Sequence, residues 1–384
     1  MIRLLRYIFF GLLLTFLISS CKQYPTLKDR AIFESSMAKA LHLKFINRNE
    51  DYDNPYFNIF NDTIVGFNSH APEKNKYSEY YFAQSIKNTK YKFETDNDSL
   101  RFPSISNLDN YKNGSFYFCR FGRGTMQSLD STGKLTEYFR KYDHDVSYAN
   151  KAMFYKDKVV IAGMYGVYVF DFKSEKLLWK YDYVDAPNDG MSAIINNKLV
   201  FTETVSDTIK RSTNTNIVCV DLDRLKVKWQ KILNHSATYT YFQQYLPQHH
   251  LYTDDGEVII PQTDTCYALN LNTGKVKGKL RWKGCFRYQP RFNVENHKIY
   301  LENNFTLFCA DLVFGKKIWE VKNAGYWGLY KNHVIAFTPD LKFYLIINKE
   351  TGQIESKISK PETTQMDFEF VGKYILINRE ALYQ

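Results

Sequence analysis

Residues 307–319 read LFCADLVFGKKIW, and the same pattern recurs as VYVFDFKSEKLLW from Val167 and as IVCVDLDRLKVKW from Ile217. Two more divergent copies are CYALNLNTGKVKG, ending at Gly278, and YLIINKETGQIES, ending at Ser356. Each copy has an Asp or Asn, then a turn residue four positions later, and three copies have a Trp four positions after that. The pattern predicts the end of one strand, a turn and the start of the next strand.

The turn residue gives the repeat its period. A weaker copy, YYFAQSIKNTKYKF, places a further turn at Thr89. The turns follow one another at intervals of 37 to 50 residues and fall at Thr89, Gly133, Glu175, Leu225, Gly274, Gly315 and Gly352. Periods in the forties with strand-like content are typical of propeller blades. We predict an all-β fold, a β-propeller of four-stranded antiparallel blades, with eight blades as the first choice and seven as the alternative.

The two ends of the chain are predicted to close the ring. The last residues form a strand near Tyr374 and begin another at Glu380, and no turn or Trp strand follows them. A propeller closes its ring so that no sheet edge is left open. The missing strand is therefore expected from the N-terminal part of the propeller, with Leu41 to Ile46 as the candidate.

The repeated residues are interpreted as structural. An Asp or Asn can accept hydrogen bonds from backbone N–H groups two or three residues later, and Gly supplies a positive φ. Glu175 and Leu225 stand where other copies have Gly, which predicts strain or a different turn there. The Trp offers a large apolar surface for packing between blades. Because a ring separates equivalent positions, the repeated Asp residues are not expected to form one carboxylate site.

The first 21 residues have the features of an export signal. Arg3 and Arg6 precede a short apolar stretch that ends in Leu-Ile-Ser-Ser before Cys21. This arrangement resembles the bacterial lipobox, after which the Cys becomes the lipidated N-terminus. We predict a lipoprotein signal peptide at 1–20, lipid attachment such as palmitate at Cys21, a tether at 21–40 and the propeller at 41–384. An ordinary signal peptide is the alternative.

The resemblance to bacterial lipoproteins also implies an address. Lys22 follows the Cys, whereas an Asp there resembles an inner-membrane retention signal. We therefore expect a Gram-negative outer-membrane lipoprotein facing the periplasm, with the cell surface as the alternative. The net charge of +10 is spread over the chain without a long Lys/Arg run. An exported chain of this kind is not expected to bind nucleic acid.

Five cysteines remain after Cys21, so they cannot all pair with one another. Cys219 and Cys309 occupy the same place in their repeats, and Cys266 lies on the same strand face by two-residue alternation. Equivalent positions in successive units favour buried, apolar cysteines. One disulfide is the alternative.

Other chemical motifs are sparse. His249 and His250 precede Asp254 and Asp255, and two His with two Asp are a conceivable metal set. Their spacing is not helical, and we interpret the segment as a solvated loop between blades. Residues 121–124 (FGRG) are Gly-rich and basic but lack the strand-to-helix context of a phosphate loop. No catalytic, cofactor-binding or metal site is predicted.

The Asp-x-x-x-Gly-x-x-x-Trp motif, as in Asp311 to Trp319, resembles the PQQ-like, or quinoprotein-like, β-propeller repeat over residues 120–356. With Cys21, the chain is similar to lipidated propellers of the outer membrane, including the propeller lipoprotein of barrel assembly. That resemblance implies a non-enzymatic scaffold whose loops bind partner proteins. Quinoprotein dehydrogenases resemble one another in an adjacent Cys-Cys pair and in Glu, Asn and Asp calcium ligands, and this chain has no adjacent cysteines.

The leading functional hypothesis is a lipid-anchored envelope propeller that binds a protein partner, is anchored to a membrane through its lipid and needs no cofactor. A carbohydrate-binding surface lipoprotein is the first alternative, because planar aromatics also stack on sugars. A divergent enzyme that uses the central channel is the second. The long repeat intervals predict extended loops at Thr204–Thr215 and Ser236–Asp255, where binding residues are expected.

Overall fold

A computed structural model describes eighteen stretches of the chain. They are residues 27–48, 57–60, 63–70, 78–85, 91–96, 110–119, 126–130, 134–142, 149–184, 192–207, 212–234, 252–254, 256–261, 265–281, 292–360, 368–371, 374–377 and 381–384.

The described residues form one α-helix and eight four-stranded sheets. The helix is α1 (Leu27–Ala40), and the first strand is β1 (Phe45–Arg48). Sheet 1 comprises β2 (Phe57–Phe60), β3 (Thr63–His70), β4 (Ser78–Ser85) and β5 (Tyr91–Asp96). Sheet 2 comprises β6 (Asn110–Lys112), β7 (Ser115–Cys119), β8 (Met126–Leu129) and β9 (Leu135–Tyr138).

The next three sheets follow the same order along the chain. Sheet 3 comprises β10 (Ala149–Tyr155), β11 (Lys158–Gly163), β12 (Gly166–Asp171) and β13 (Leu177–Asp182). Sheet 4 comprises β14 (Ser192–Ile195), β15 (Lys198–Asp207), β16 (Ser212–Asp221) and β17 (Lys226–Asn234). Sheet 5 comprises β18 (Tyr252–Asp254), β19 (Glu257–Pro261), β20 (Thr265–Asn270) and β21 (Val276–Arg281).

The last three sheets complete the set. Sheet 6 comprises β22 (Phe292–Glu295), β23 (Lys298–Asn303), β24 (Thr306–Asp311) and β25 (Lys316–Lys322). Sheet 7 comprises β26 (Gly325–Tyr330), β27 (His333–Phe337), β28 (Phe343–Asn348) and β29 (Ile354–Ser359). Sheet 8 comprises β30 (Phe368–Val371), β31 (Tyr374–Ile377), β32 (Ala381–Tyr383) and β1.

All strand pairs are antiparallel, and each sheet is a four-stranded meander. This is the all-β propeller that the repeat predicts. The core is divided into layers between successive sheets, such as the layer in which Trp319 and Tyr300 of sheet 6 pack with Tyr326 of sheet 7. Eight sheets are the number that the eight-bladed interpretation needs.

Sheet 8 joins the two ends of the chain, as predicted. Its strand order is β1-β32-β31-β30, so the N-terminal β1 is the outer strand beside the C-terminal β32. Lys44 and Gln384 exchange two main-chain hydrogen bonds of 2.8 and 2.9 Å next to this pair. The closing strand covers residues 45–48, slightly later in the chain than the predicted Leu41–Ile46.

A bulge recurs at the same place in the outer strands. Cys309 pairs with Trp319 and Ala310 pairs with Lys317, so Ile318 is the extra residue. The same shift follows the pair of Cys219 with Trp229 in sheet 4. Sheet 1 repeats it after the pair of Ala83 with Phe93, which confirms the weak copy at 81–93 as a genuine repeat. Bulges of this kind twist an edge strand and discourage pairing with other chains.

In the copies whose turn the structure describes, the Asp or Asn closes the turn as predicted. The Asp311 carboxylate accepts hydrogen bonds from the backbone N–H groups of Val313 and Phe314, both at 2.8 Å. The equivalent side chains in four other repeats also accept hydrogen bonds from backbone N–H groups of their turns: Asp171, Asp221, Asn270 and Asn348. The turn residue has a positive φ in the described copies with Gly and also at Glu175 (54°) and Leu225 (53°). Those two turns therefore carry the strain that their sequence predicts.

The Trp residues pack between sheets, and the turn glycines of the next sheet make room for them. The indole N–H of Trp229 donates to the Leu271 carbonyl at 2.9 Å. A Cβ added at Gly274 would lie 2.6 Å from the Trp229 ring. Trp319 and Gly352 repeat the arrangement in the layer between sheets 6 and 7, with 2.8 Å between the added Cβ and the ring. In both cases, the Trp therefore packs on the turn Gly of the next repeat.

Part of the segment expected as a tether is the helix α1, which packs against the propeller. Phe33, Met37 and Leu41 recur every four residues and are buried on one side of the helix. They fill the layer between sheets 7 and 8 with Tyr344 and Ile375. The segment from 27 to 40 therefore belongs structurally to the ring.

The four described cysteines, Cys119, Cys219, Cys266 and Cys309, are buried thiols. This confirms the apolar interpretation for these four, while Cys285 lies outside the described residues. Burial raises the pKa of the Cys119 and Cys309 thiols to about 12 and that of Cys219 to about 11. These thiols are therefore protonated at neutral pH and poor nucleophiles.

Candidate functional site: the hairpin face of sheets 3 and 4

The meander gives the propeller two different faces. Turns between first and second strands, and between third and fourth strands, lie at one end of each sheet, which we call the turn face. Connections between second and third strands lie at the other end, which we call the hairpin face. Loop size and sequence vary more on the hairpin face.

The turn face is built from short-range structural contacts. In sheets 3, 4 and 6, a lysine stands across the strand pair from an Asp: Lys158 from Asp171, Lys198 from Asp221 and Lys298 from Asp311. In sheets 5 and 7, Glu257 and His333 occupy the position of these lysines, and the residue across the strand pair is a neutral Asn. Opposite charges across a strand pair are stabilising and like charges are destabilising. The repeated Asp residues therefore act in turns and cross-strand pairs, as predicted.

Asp254 also has a structural partner. Its carboxylate accepts hydrogen bonds from the backbone N–H groups of Asn296 (3.1 Å) and His297 (2.5 Å), which form the first turn of sheet 6. His249, His250 and Asp255, the other members of the conceivable metal set, lie outside the described residues, as do Cys21 and residues 121–124. Among the described residues, no group of three or more His, Cys, Asp or Glu side chains could hold a metal ion.

The predicted loop at Thr204–Thr215 is instead a long β-ribbon. Strands β15 and β16 have ten residues each, while their counterparts in sheets 6 and 7 have five or six. The register continues from Lys198↔Asp221 to Asp207↔Ser212 without a shift. The stretch is rich in Thr and Val, whose branched side chains favour strands. At about 3.3 Å per residue, the extra four residues carry the ribbon roughly 13 Å beyond the neighbouring hairpins.

The second predicted loop, Ser236–Asp255, lies mostly outside the described residues. Its described end is a strand, since Tyr252–Asp254 forms β18. No described residue between these limits otherwise contributes to the site.

A buried carboxylate supports the base of the ribbon. Glu203 on β15 is 1% exposed. It accepts hydrogen bonds from the Tyr181 hydroxyl (2.6 Å), the Asn216 amide (2.5 Å) and the Val184 backbone N–H (3.2 Å). Hydrogen bonds to an ionised acceptor are stronger than neutral ones, and a buried carboxylate needs several of them.

This network joins two sheets. Tyr181 and Val184 come from the end of β13 in sheet 3, whereas Glu203 and Asn216 face each other across the β15–β16 pair of sheet 4. The Tyr183 backbone N–H donates to the Tyr165 carbonyl at 2.9 Å, which fixes the connection that leaves sheet 3. The base of the ribbon is therefore held rigidly against sheet 3.

Tyr181 acts in this network as a hydrogen-bond donor. Burial first, and then the neighbouring Glu203 carboxylate, raise the pKa of its hydroxyl above the ordinary value. The hydroxyl therefore keeps its proton throughout the physiological range and donates it to Glu203.

Three exposed apolar side chains surround the buried network. Val184 is 70% exposed, Ile232 is 57% exposed and Tyr165 is 39% exposed. Ile232 pairs with Asn216 across β16 and β17, so the two side chains project from the same face of sheet 4, toward sheet 3. We call Tyr165, Val184, Ile232 and the ribbon the 3/4 surface. An exposed apolar group on a rigid base is a common form of protein-interaction site.

The sequence alone did not indicate Glu203 or Tyr181. Glu203 lies in a run of Thr and Val that resembles any exposed strand, and nothing local shows that it becomes buried against the next sheet. The sequence indicated only that this repeat contains an insertion, because the interval between Glu175 and Leu225 is long.

Comparisons with known proteins show the fold. No protein-family model matches the chain, and no curated protein matches it. Among solved structures, the quinohemoprotein alcohol dehydrogenase of Comamonas testosteroni is similar with a TM-score of 0.55 at 11% identity, over 90% of this chain and 76% of that one.

A second similar structure is the quinohemoprotein alcohol dehydrogenase ADHIIG of Pseudomonas putida HK5. Its TM-score is 0.53 at 12% identity, over 83% of this chain and 68% of that one. Both likenesses support a propeller of the quinoprotein-like kind. At such low sequence identities, the similarity shows a shared architecture and says nothing about whether this chain has the activity of those enzymes.

Proposed function

We propose that this chain is a lipid-anchored envelope propeller that binds a protein partner through the 3/4 surface and has no enzymatic activity of its own. The observation that carries the proposal is the exposure of Val184 and Ile232 beside the buried Glu203 network. Apolar side chains of this exposure cost solubility and do nothing for the core. A rigid support beneath them lowers the entropy lost on binding.

The chemistry of the surface favours protein over carbohydrate. Sugars are bound by stacking on planar aromatic rings, and Tyr165 is the one aromatic among the three exposed side chains of the 3/4 surface. Val184 and Ile232 are branched aliphatic groups, which pack well against apolar side chains of another protein. The long ribbon adds backbone groups for polar contacts around that centre.

The proposal also includes the location of the protein in the cell envelope. The basic and apolar leader that ends at Cys21 supports lipidation at that residue, and Lys22 supports the outer membrane, facing the periplasm. No helix among the described residues is long and apolar enough to cross a membrane. Acyl chains at Cys21 would hold the ring at a membrane surface.

The test is capture of partners from native membranes by the tagged chain, followed by mass spectrometry. One variant replaces residues 205–214 with Asn-Gly, a sequence that favours a two-residue hairpin, and keeps Glu203 and Asn216 in place. A second variant is Val184→Asn with Ile232→Asn. Both are expected to fold, because the first keeps the paired base of the ribbon and the second changes two exposed positions. Both are expected to lose the partner that the unaltered chain captures.

The matched control is Phe314→Ser. Phe314 is 82% exposed but lies in a turn of sheet 6 on the turn face. This variant should keep the partner. Retention of the partner by both hairpin-face variants, or its loss only in Phe314→Ser, would show that the 3/4 surface is not the binding site.

A further inference from the structure

The direction of α1 shows where the chain leaves the ring toward Cys21. Third strands of the sheets run from the hairpin face to the turn face, so Gln384 at the end of β32 lies toward the turn face. Lys44, just after the helix, bonds to Gln384. Phe33 lies earlier in the helix and contacts Tyr344, the second residue of the third strand β28, with ring centroids 5.7 Å apart. The helix therefore begins at the hairpin face.

The start of the helix reaches beyond the end of the sheets. At 1.5 Å per residue, Leu27 lies about 9 Å farther along the axis than Phe33, which is already near the hairpin-face end of β28. Five residues lie between Cys21 and Leu27, and the six steps along the chain from one to the other span about 20 Å when fully extended. Acyl chains on Cys21 would thus hold the membrane close to the hairpin face at sheet 7, against which α1 packs in the layer between sheets 7 and 8.

Exposed apolar side chains occupy that part of the molecule. Ile32 in the helix is 56% exposed, Leu341 in the β27–β28 connection is 54% exposed and Phe305 in the β23–β24 turn is 41% exposed. Aromatic contacts connect these places: the Phe305 ring lies 6.3 Å from that of Phe337, and Trp327 contacts Phe337 and Tyr344, each at 6.0 Å. We call Ile32, Phe305 and Leu341 the 6/7 edge.

Two residues of the 6/7 edge have a backbone conformation that is unfavourable for large apolar residues. Phe305 has φ 55° and Leu341 has φ 57°. Asn or Gly adopts this left-handed conformation at lower cost than a large apolar residue. Large apolar residues retained in strained, exposed positions point to a role outside the core.

We propose that the 6/7 edge is a membrane-contact surface, at which Ile32, Leu341 and Phe305 dip into the lipid bilayer that carries the acyl chains of Cys21. The inference rests on the lipid anchor of the proposed function and adds the orientation of the ring. The short reach from Cys21 favours lipid over a protein as the occupant of this edge. The 3/4 surface lies three sheets earlier in the ring and so remains free for the partner.

Apolar insertion is expected to dominate this contact. Lys28 and Lys342 are exposed and have Asp29 and Asp340 close to them in the chain, and Lys357 is a further exposed cation beside Asp340. This small excess of positive charge should add to the affinity for anionic lipid without replacing the apolar contact. Apolar side chains in the headgroup region give reversible binding that becomes stable when an acyl chain is already inserted.

The test uses the full acylated chain in phosphatidylethanolamine vesicles with and without phosphatidylglycerol. Leu341→Cys carries an environment-sensitive fluorophore, in a Cys285→Ser background, and the vesicles contain lipids with a nitroxide in the acyl chain. Fluorescence at this position should be quenched in both kinds of vesicle, and at least as strongly when phosphatidylglycerol is present. Labels at Phe314→Cys, on the turn face, and at Ile232→Cys, on the 3/4 surface, are the matched controls and should stay unquenched.

Separate readouts distinguish the two proposals. Mass spectrometry of the chain reports acylation at Cys21, and partner capture reports the 3/4 surface. An acylated chain that captures its partner but shows no quenching at Leu341, or equal quenching at all three labels, would overturn the membrane-contact inference and leave the scaffold intact. A chain without acylation would instead remove the anchor on which the inference rests, and the membrane contact would be rejected with it.

The strained positions offer a second measurement. Leu341→Asn should leave the urea midpoint unchanged or raise it, because Asn tolerates a positive φ and loses no buried contact. In the acylated chain labelled at Ile32→Cys, the same substitution should reduce quenching roughly twofold or more, since only Phe305 then remains of the unlabelled inserted groups. A lower urea midpoint together with unchanged quenching would assign Leu341 to folding.

Discussion

At the scale of single residues, the repeated structure depends on contacts between a Trp of one repeat and a Gly of the next. Trp229 packs on Gly274 and Trp319 packs on Gly352, so each Gly is required by the Trp of the unit before it. Where Gly278 replaces the Trp, a Cβ added there would lie 2.3 Å from the Leu312 carbonyl, because the next turn moves into the empty space. Close packing leaves no gap in either case.

These pairs predict a specific cost for Gly274→Ala. The substitution places a methyl group 2.6 Å from the Trp229 ring at a residue with φ 67°. Overpacking and the left-handed conformation together should lower the free energy of unfolding by about 3 kcal/mol. Urea denaturation, followed by circular dichroism, measures the change.

The matched control is Gly256→Ala. Gly256 has φ 73°, but an added Cβ there meets nothing within 4 Å. It should therefore cost only about 1–2 kcal/mol, the penalty of the left-handed backbone. Equal losses for the two variants would show that the Trp229 contact contributes nothing measurable.

The residue types of the turns were readable from the sequence because their chemistry is local. Asp311 bonds two and three residues ahead, and Gly315 has its positive φ, as the pattern predicted. The dependence of Gly352 on Trp319 was not readable, since it depends on how two sheets pack. Glu203 was missed for the same reason: its burial comes from Tyr181 in another sheet.

At the scale of elements, hydrophobic alternation predicted the strands, and the outer-strand bulge supports the copy at 81–93 that was weakest in sequence. The helix α1 was harder to predict because its buried positions, Phe33, Met37 and Leu41, stand among Ala, Ser and Lys with little contrast. The ribbon was expected as a loop because an interval length reports an insertion and not its conformation.

The closing elements give a second stability prediction. A chain that starts at residue 27 keeps α1 and β1, whereas a chain that starts at residue 49 loses both. The shorter chain exposes β32 as an edge and leaves the apolar layer around Tyr344 and Ile375 uncovered. It should unfold at a lower temperature with reduced cooperativity, or aggregate, in differential scanning calorimetry.

The chain that starts at residue 27 serves as the control for this truncation. It should unfold at the same temperature as the chain that starts at Cys21, because both chains keep α1 and β1. A chain from residue 49 that unfolds like the control would show that the N-terminal elements do not close the ring.

At the scale of the whole molecule, the two proposals assign different sectors of the hairpin face. The 6/7 edge lies beside the start of α1, and the 3/4 surface lies three sheets away from it. The order of the sheets along the chain sets this separation, which lipid attachment at Cys21 would convert into an orientation of the ring. The turn face, built from Asx turns and opposite charges, stabilises the ring.

The most direct test of the central proposal is site-specific photo-crosslinking in intact cells. A photoreactive amino acid replaces Val184 or Ile232 on the 3/4 surface, and Phe314 on the turn face provides the comparison. All three positions are more than half exposed, so each tolerates the new side chain. We expect one protein adduct of the same mass from Val184 and Ile232 and none from Phe314. Adducts only from Phe314, or from no position while the protein is present in the envelope, would contradict the proposal that sheets 3 and 4 bind a protein partner.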